Sequence, residues 1–309
     1  LRRSLARRPP YDEAMAVTLP SAVLDRYRRF SRFNSPYPAH DDGCAIDLYP
    51  AGETGISPVA GVVRDTRTVG CPDRPYAAAE DHLIVVELDD DWCRRAGAAP
   101  GTRARILHVV PAVSPGDHVA VGDALGPMTR SGFFGRWVDD HVHLGFRPPD
   151  ANALRASGSL PVDVAASVAP VRWDGTGVVS ARGPTHVVLD APAHPAPGQG
   201  FAALASDEGI PLDGGLAHYA GGGSFDALAD GTEVSLWGTR VGVAAGRGLA
   251  WEPVDLLANG ERVVGLSLFA AAGDGVAAKV VCPDAAFELG DRVSLALAPS
   301  DDPIRLGVG

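Results

Sequence analysis

The run DDHVHLGF, Asp139 to Phe146, decides how this chain is read. Two histidines separated by one valine and followed by Leu-Gly-Phe have the alternation of a β-strand, whose side chains point to opposite faces in turn. His141 and His143 then share a face, about 7 Å apart along the strand. That suits a metal ligand standing beside a second imidazole free to act on substrate. It is not a structural zinc-finger spacing, and no CxxC pair accompanies it. An H-x-H pair is also common in ordinary half-buried strands, so the reading depends on partners elsewhere in the chain.

The rest of the chain is strand-like as well. The 309 residues suffice for two domains, and 37 glycines with 26 prolines favour a turn-rich β protein. Strands are expected over Ser57–Thr66, His82–Asp89, Ala104–Pro111, Asp117–Gly122 and the histidine run, separated by Gly, Pro and Asp turns. The segment 1–35 holds one expected helix, around Leu19 to Arg32, with Ser21 as its cap. Asp89–Arg103 has the composition of a long charged hairpin loop. A Pro/Ala/Ser-rich piece, Arg147–Pro161, marks a linker, so domains are expected over 36–150 and 160–309. The second of these again alternates short apolar runs with turns, as a sandwich or small barrel does. Its His186, His194 and His218 lack paired spacing and are expected at the surface or core edge. The glycine-rich loop Ala217–Asp226 lacks the strand-before, helix-after context of a phosphate site.

A net charge of −11 excludes nucleic acid as the main partner, since phosphate binding needs a basic surface. Lys279 is the single lysine, and aspartate far outnumbers glutamate, as in salt-adapted proteins. Cys44, Cys71, Cys93 and Cys282 have no metal-type spacing. No apolar run reaches the length of a membrane span or a signal peptide, so a cytoplasmic protein is expected, with export by another route left open.

Six of the nine histidines fall between residues 40 and 143. His40 lies in PAHDDGCAIDLYP, Pro38 to Pro50, seven positions before Asp47. Zinc accepts both imidazole and carboxylate, and a catalytic zinc takes three protein ligands and leaves one position open. His40, Asp47 and one histidine of the pair could supply that set. His108 sits among apolar residues in RILHVVP, where an imidazole is costly unless bonded or functional.

Read in order, the chain gives H…G-x-x-I-D-L-x-P, S-P-V-x-G-V-V, D-H-L-I-V-V-E-L-D, I-L-H-V-V, PGDHVAVGDALG and HVHLGF. Over residues 38–148 this resembles the lysostaphin-like zinc endopeptidases, which cut peptide cross-bridges and stems of bacterial cell walls. The resemblance implies an antiparallel barrel-sandwich domain that binds Zn2+ and hydrolyses a peptide or peptide-containing polymer. It assigns His40, Asp47 and His143 as metal ligands, and His108 and His141 as catalytic histidines that orient the water or steady the oxyanion. The chain departs from the family pattern where the aspartate stands seven rather than four residues after His40, with Cys44 at position four as a second possible ligand. It also has Val109 after His108 where leucine is usual. The rival expectation is a non-enzymatic metal-binding or scaffold module built on a peptidase-like barrel. A phosphocarrier-type domain would explain the glycine turns but not both histidine segments.

Overall fold

The computed structural model describes residues 16–273, 276, 278–283 and 287–307. The chain is mainly β: a ten-stranded and a twelve-stranded sheet, with two small two-stranded sheets, make up its strands among the described residues. Five antiparallel neighbours carry the first half: Ile46–Tyr49, Val142–Arg147, Arg103–Leu107, Glu80–Leu88 and Gly61–Gly70. Alternation along these strands separates two faces. Val142, Leu144 and Phe146 are fully buried and pack with Ile46, Leu48, Ile84 and Ile106 in one core. Burying such side chains stabilises the sheet by roughly 1.5–3 kcal/mol each. His141, His143 and Gly145 take the other face, and that face lines a cavity.

The ten-stranded sheet does not end at the proline-rich linker. Val168–Val171, Phe201–Leu204 and Ala270–Ala271 extend it beyond Arg29–Ser31, and Val162–Val164 pairs in parallel with Val17–Leu19. The second half closes around its own core, in the twelve-stranded sheet that runs from Thr176–Gly183 to Arg292–Pro299.

Four local expectations change. The helix expected from Leu19 to Arg32 is one turn, Ser21–Leu24, and Arg29–Ser31 is a strand paired with Ile46–Tyr49. The helical spacing is overridden because a strand there satisfies the open edge of Ile46–Tyr49 and buries Phe30 completely. Residues 1–15 of that segment lie outside the described residues. Asp89–Arg103 contains a helix, Asp90–Ala96, which buries Trp92, Cys93 and Ala96 and ends on Gly97 at φ +69°. Its Asp90 and Asp91 in the first turn and Arg94 and Arg95 in the last suit the helix dipole, so the charges that suggested a loop sit at the ends of a helix they favour. The glycines of Ala217–Asp226 form a strand, Gly221–Ser224, pressed under aromatic rings. A methyl group at Gly222 or Gly223 would overlap Trp251 or Phe33. Lastly, the strand expected to carry His108 stops at Leu107, and His108 itself adopts φ +69°.

Candidate metal centre

Register brings the first two site residues together. His143 lies directly across from Asp47 on the neighbouring antiparallel strand, which puts His143 Nδ1 2.9 Å from Asp47 Oδ1. His40 arrives from outside the sheet, in the single helical turn Pro38–Asp41 that opens on Pro38. The chain then reverses through Gly43 at φ +64° before entering the Ile46–Tyr49 strand. This turn takes up the chain between His40 and the Ile46–Tyr49 strand. His40 Nε2 ends 3.2 Å from His143 Nδ1 and 3.4 Å from Asp47 Oδ1.

These three atoms are the described group able to hold a metal ion. A tetrahedral ion with ligand bonds of about 2.0–2.2 Å has its ligands about 3.3 Å apart. The observed edges of 2.9, 3.2 and 3.4 Å match one face of such a tetrahedron. The donor chemistry fits too. The Nδ1–H of His40 donates to the Arg32 carbonyl at 2.6 Å, so Nε2 is the nitrogen that faces the other two ligands and would bind a metal once deprotonated. Without a metal, His143 Nδ1 and His40 Nε2 can each hold a proton toward Asp47, and a bound cation would take the place of those protons. Burial pushes the His40 imidazole down, but the Asp47 carboxylate outweighs it and leaves His40 above the ordinary histidine value. Asp47 is fully buried, and burial alone would raise its carboxyl; the His40 and His141 imidazoles instead hold it well below the usual carboxylate range. Cys44 is not brought into this group: its thiol lies against the Asp42 carbonyl at 3.4 Å, and burial pushes it up to about 11.

Two further imidazoles face the triangle. His141 Nε2 lies 3.5 Å from Asp47 Oδ1, while its Nδ1–H donates to the Asp139 carbonyl at 2.8 Å. Burial lowers His141 to about 4, so it is neutral at pH 7 with its Nε2 lone pair toward the site. The His108 ring centroid is 5.0 Å from that of His141 and 5.6 Å from that of His143. Its Nδ1–H donates to Asp81 Oδ2 at 2.7 Å, again leaving Nε2 as the free nitrogen. The left-handed backbone at His108 also turns its amide onto Asp81 Oδ1 at 3.2 Å. All five sequence-derived residues line one cavity of about 320 Å³, walled by Phe133, Phe134, Tyr37 and Leu83.

Sequence reasoning passed over the residues that hold these imidazoles. Asp81 is completely buried and accepts from the His82 amide, the His108 amide and ring, and the Ser131 hydroxyl. Its signal was a charge at the head of the apolar run LIVVEL. The other supports come from the second half of the chain. Asp213 accepts from the Ser31 hydroxyl and from the amides of Arg32 and Phe33, fixing the carbonyl on which His40 leans. Lys279 is buried and donates to Asp139 Oδ1 at 3.0 Å, while Arg29 pairs with the other oxygen. A lone lysine inside AKVV was the visible hint. His218, expected near the surface, is fully buried against Tyr219 and Trp137.

Comparison with known protein families places the chain in one family. Residues 18–164 match the N-terminal domain, and residues 169–298 the C-terminal domain, of a family described as a domain of unknown function, DUF8155. The chain thus carries both domains of this family in order, and the junction falls a few residues beyond the proline-rich linker. No curated protein matches it.

Proposed function

We propose that the chain is a zinc-dependent peptidase of the lysostaphin-like kind, hydrolysing peptide bonds with an activated water. One observation carries the reading: His40 Nε2, Asp47 Oδ1 and His143 Nδ1 converge as a tetrahedral face, with two unligated imidazoles turned toward it inside a cavity. When bound, zinc would lower the pKa of a water and polarise the substrate carbonyl. The chain supplies the rest. His108, held by Asp81, offers Nε2 as a general base and can return the proton to the leaving amine. His141 presents a second lone pair and orients the water rather than donating to an oxyanion, because its one proton is committed to the Asp139 carbonyl. The apolar wall of Phe133, Phe134 and Leu83 lowers the local dielectric and strengthens each of these interactions.

The test is metal content, then hydrolysis. Protein purified without chelators should hold about one zinc per chain. His143→Ala and Asp47→Ala should lose it, and the loaded protein should cleave a glycine- or alanine-containing peptide. Absence of stoichiometric metal in the unaltered protein defeats the reading. Stoichiometric zinc with no cleavage of any peptide would favour a metal-binding scaffold instead.

A further inference from the structure

A second cavity, of about 350 Å³, adjoins the first and shares Pro36, Tyr37, Phe133, Phe134 and Tyr219 with it. Its charge is opposite to that of the molecule. The chain carries 38 acidic side chains and a net charge of −11, yet three arginines and no carboxylate line this cavity. The arginines differ in their commitments. Arg305 is spent on the backbone, donating to the Ala217 and Glu252 carbonyls. Arg136 lies over the Tyr76 ring, 5.6 Å from its centroid, an arrangement that keeps its N–H edge free. Arg74 carries its charge near the Tyr37 hydroxyl. Among the described residues, neither Arg74 nor Arg136 has a carboxylate partner. Tyr76 is fixed by its hydroxyl, which donates to the Phe134 carbonyl at 3.3 Å, so the cationic cavity is tied to the wall of the metal site.

Two guanidinium groups with no carboxylate partner among the described residues, one of them over the Tyr76 ring, form a site for a planar anion, since the guanidinium fork matches a carboxylate in two parallel hydrogen bonds. We propose that this cavity is a substrate subsite that takes a carboxylate, either an acidic side chain or a chain-terminal carboxylate, on the peptide whose backbone enters the metal cavity. The inference rests on the peptidase reading for the peptide nature of its ligand. An anion here also explains how so acidic a protein retains an acidic substrate: the two arginines offset locally a field that would otherwise repel it.

Binding to metal-free protein tests it without turnover. The probes are acetyl-Ala-Ala-Glu amide, its Gln counterpart, and acetyl-Ala-Ala-Ala as free acid and as amide. The fluorescence of Trp137, a wall residue of the cavity, gives the signal. Trp137→Phe identifies that signal among the five tryptophans. Charge-assisted hydrogen bonds predict that one carboxylate probe binds at least about tenfold tighter than its neutral partner. Whichever pair shows the preference tells an acidic side chain from a chain terminus. The Arg74→Ala/Arg136→Ala double variant should reduce the preference to less than about threefold, and the Arg74→Lys/Arg136→Lys variant should retain part of it. Equal binding of charged and neutral probes overturns the proposal, as does a preference undiminished in the alanine variant. A protein that holds no zinc but keeps the arginine-dependent preference would defeat the peptidase reading and leave the subsite standing.

Discussion

Asp81→Asn isolates the device that gives His108 its direction. The Asp81 side chain is completely buried and takes four hydrogen bonds: from the His82 amide at 2.7 Å, the His108 amide at 3.2 Å, His108 Nδ1 at 2.7 Å and the Ser131 hydroxyl at 2.9 Å. Asparagine has the same shape and keeps one oxygen for the two amides. Its amide nitrogen then occupies the place of the second oxygen and must donate to His108 Nδ1. The imidazole responds by moving its proton to Nε2, so the nitrogen facing the site becomes a donor and can no longer act as a base. Loss of a general base costs about 10²–10⁴ in rate. The cost in stability is smaller. Each of four charge-assisted bonds weakens by up to about 1 kcal/mol, while relief from burying the charge offsets much of that. A net loss of about 1–2 kcal/mol, or about 3–6 °C in Tm, is expected. Asp81 touches none of His40, Asp47 or His143, so zinc content should not change. The assay pairs turnover of zinc-loaded protein with ¹⁵N NMR of the His108 ring, which reports the tautomer directly. Turnover within about threefold of the unaltered protein, or a ring still protonated on Nδ1, would refute the reasoning. The sign with pH also follows. Burial raises the Asp81 carboxyl, but its bonds to His108 outweigh that and hold it below the usual carboxylate range. Its contribution is therefore present above the unfolded pKa and is lost as pH falls through the folded one. The variant lacks that part of the acid response.

Lys279→Met should leave Asp139 with Arg29 alone and cost about 1–2 kcal/mol by thermal melt. Because the Asp139 carbonyl holds His141, turnover should fall with zinc content unchanged, and undiminished turnover would rule out this support. Asp213→Ala removes the acceptor for three buried donors at the Ser31–Phe33 turn, so zinc affinity measured by competition with a chelator should drop about 10- to 100-fold; an unchanged affinity would separate Asp213 from the site. If zinc is bound at about 100 times its Kd, chelation should lower Tm by roughly 5–10 °C, whereas an unmoved Tm would mean that the folded chain holds no metal. In metal-free protein, burial keeps His141 down to about 4 and His218 down to about 3, against 6.5 when unfolded. The unfolded chain then takes up more protons as pH falls from 6.5 toward 4, so stability should decline over that window. Burial likewise holds His143 and His186 down to about 4, in the same direction, while Asp213, pushed up to about 6, and His40, raised by Asp47, work the other way, so four groups stand against two. A melting temperature that stays flat or rises between pH 6.5 and pH 4 would contradict this balance.

Much of the site is written in local patterns. Period-two alternation in HVHLGF places His141 and His143 on one face and Val142, Leu144 and Phe146 in the core, because the pleat leaves no other arrangement. Mainly β structure likewise follows from short apolar runs between Gly, Pro and Asp turns. Where the reading failed, a distant partner had changed the local preference. Arg29–Ser31 is a strand because Ile46–Tyr49 offers it an edge, and His108 leaves the strand because Asp81 captures both its ring and its amide.

What the sequence determined alone is the β character, the shared face of the histidine pair and the acidic character of the molecule. Tertiary structure decided three things. It decided that a turn through Gly43 brings His40 back to Asp47 despite their seven-residue spacing, leaving Cys44 aside. It decided that Asp213 and Lys279, from the second half of the chain, support the residues that hold His40 and His141. It also decided where, among the described residues, arginines gather without carboxylates beside the histidine-lined cavity. The physical reason is common to all three. Hydrogen bonds and ion pairs act over a few ångströms, and residues up to 182 positions apart reach that range only when sheet register and loop closure bring them there.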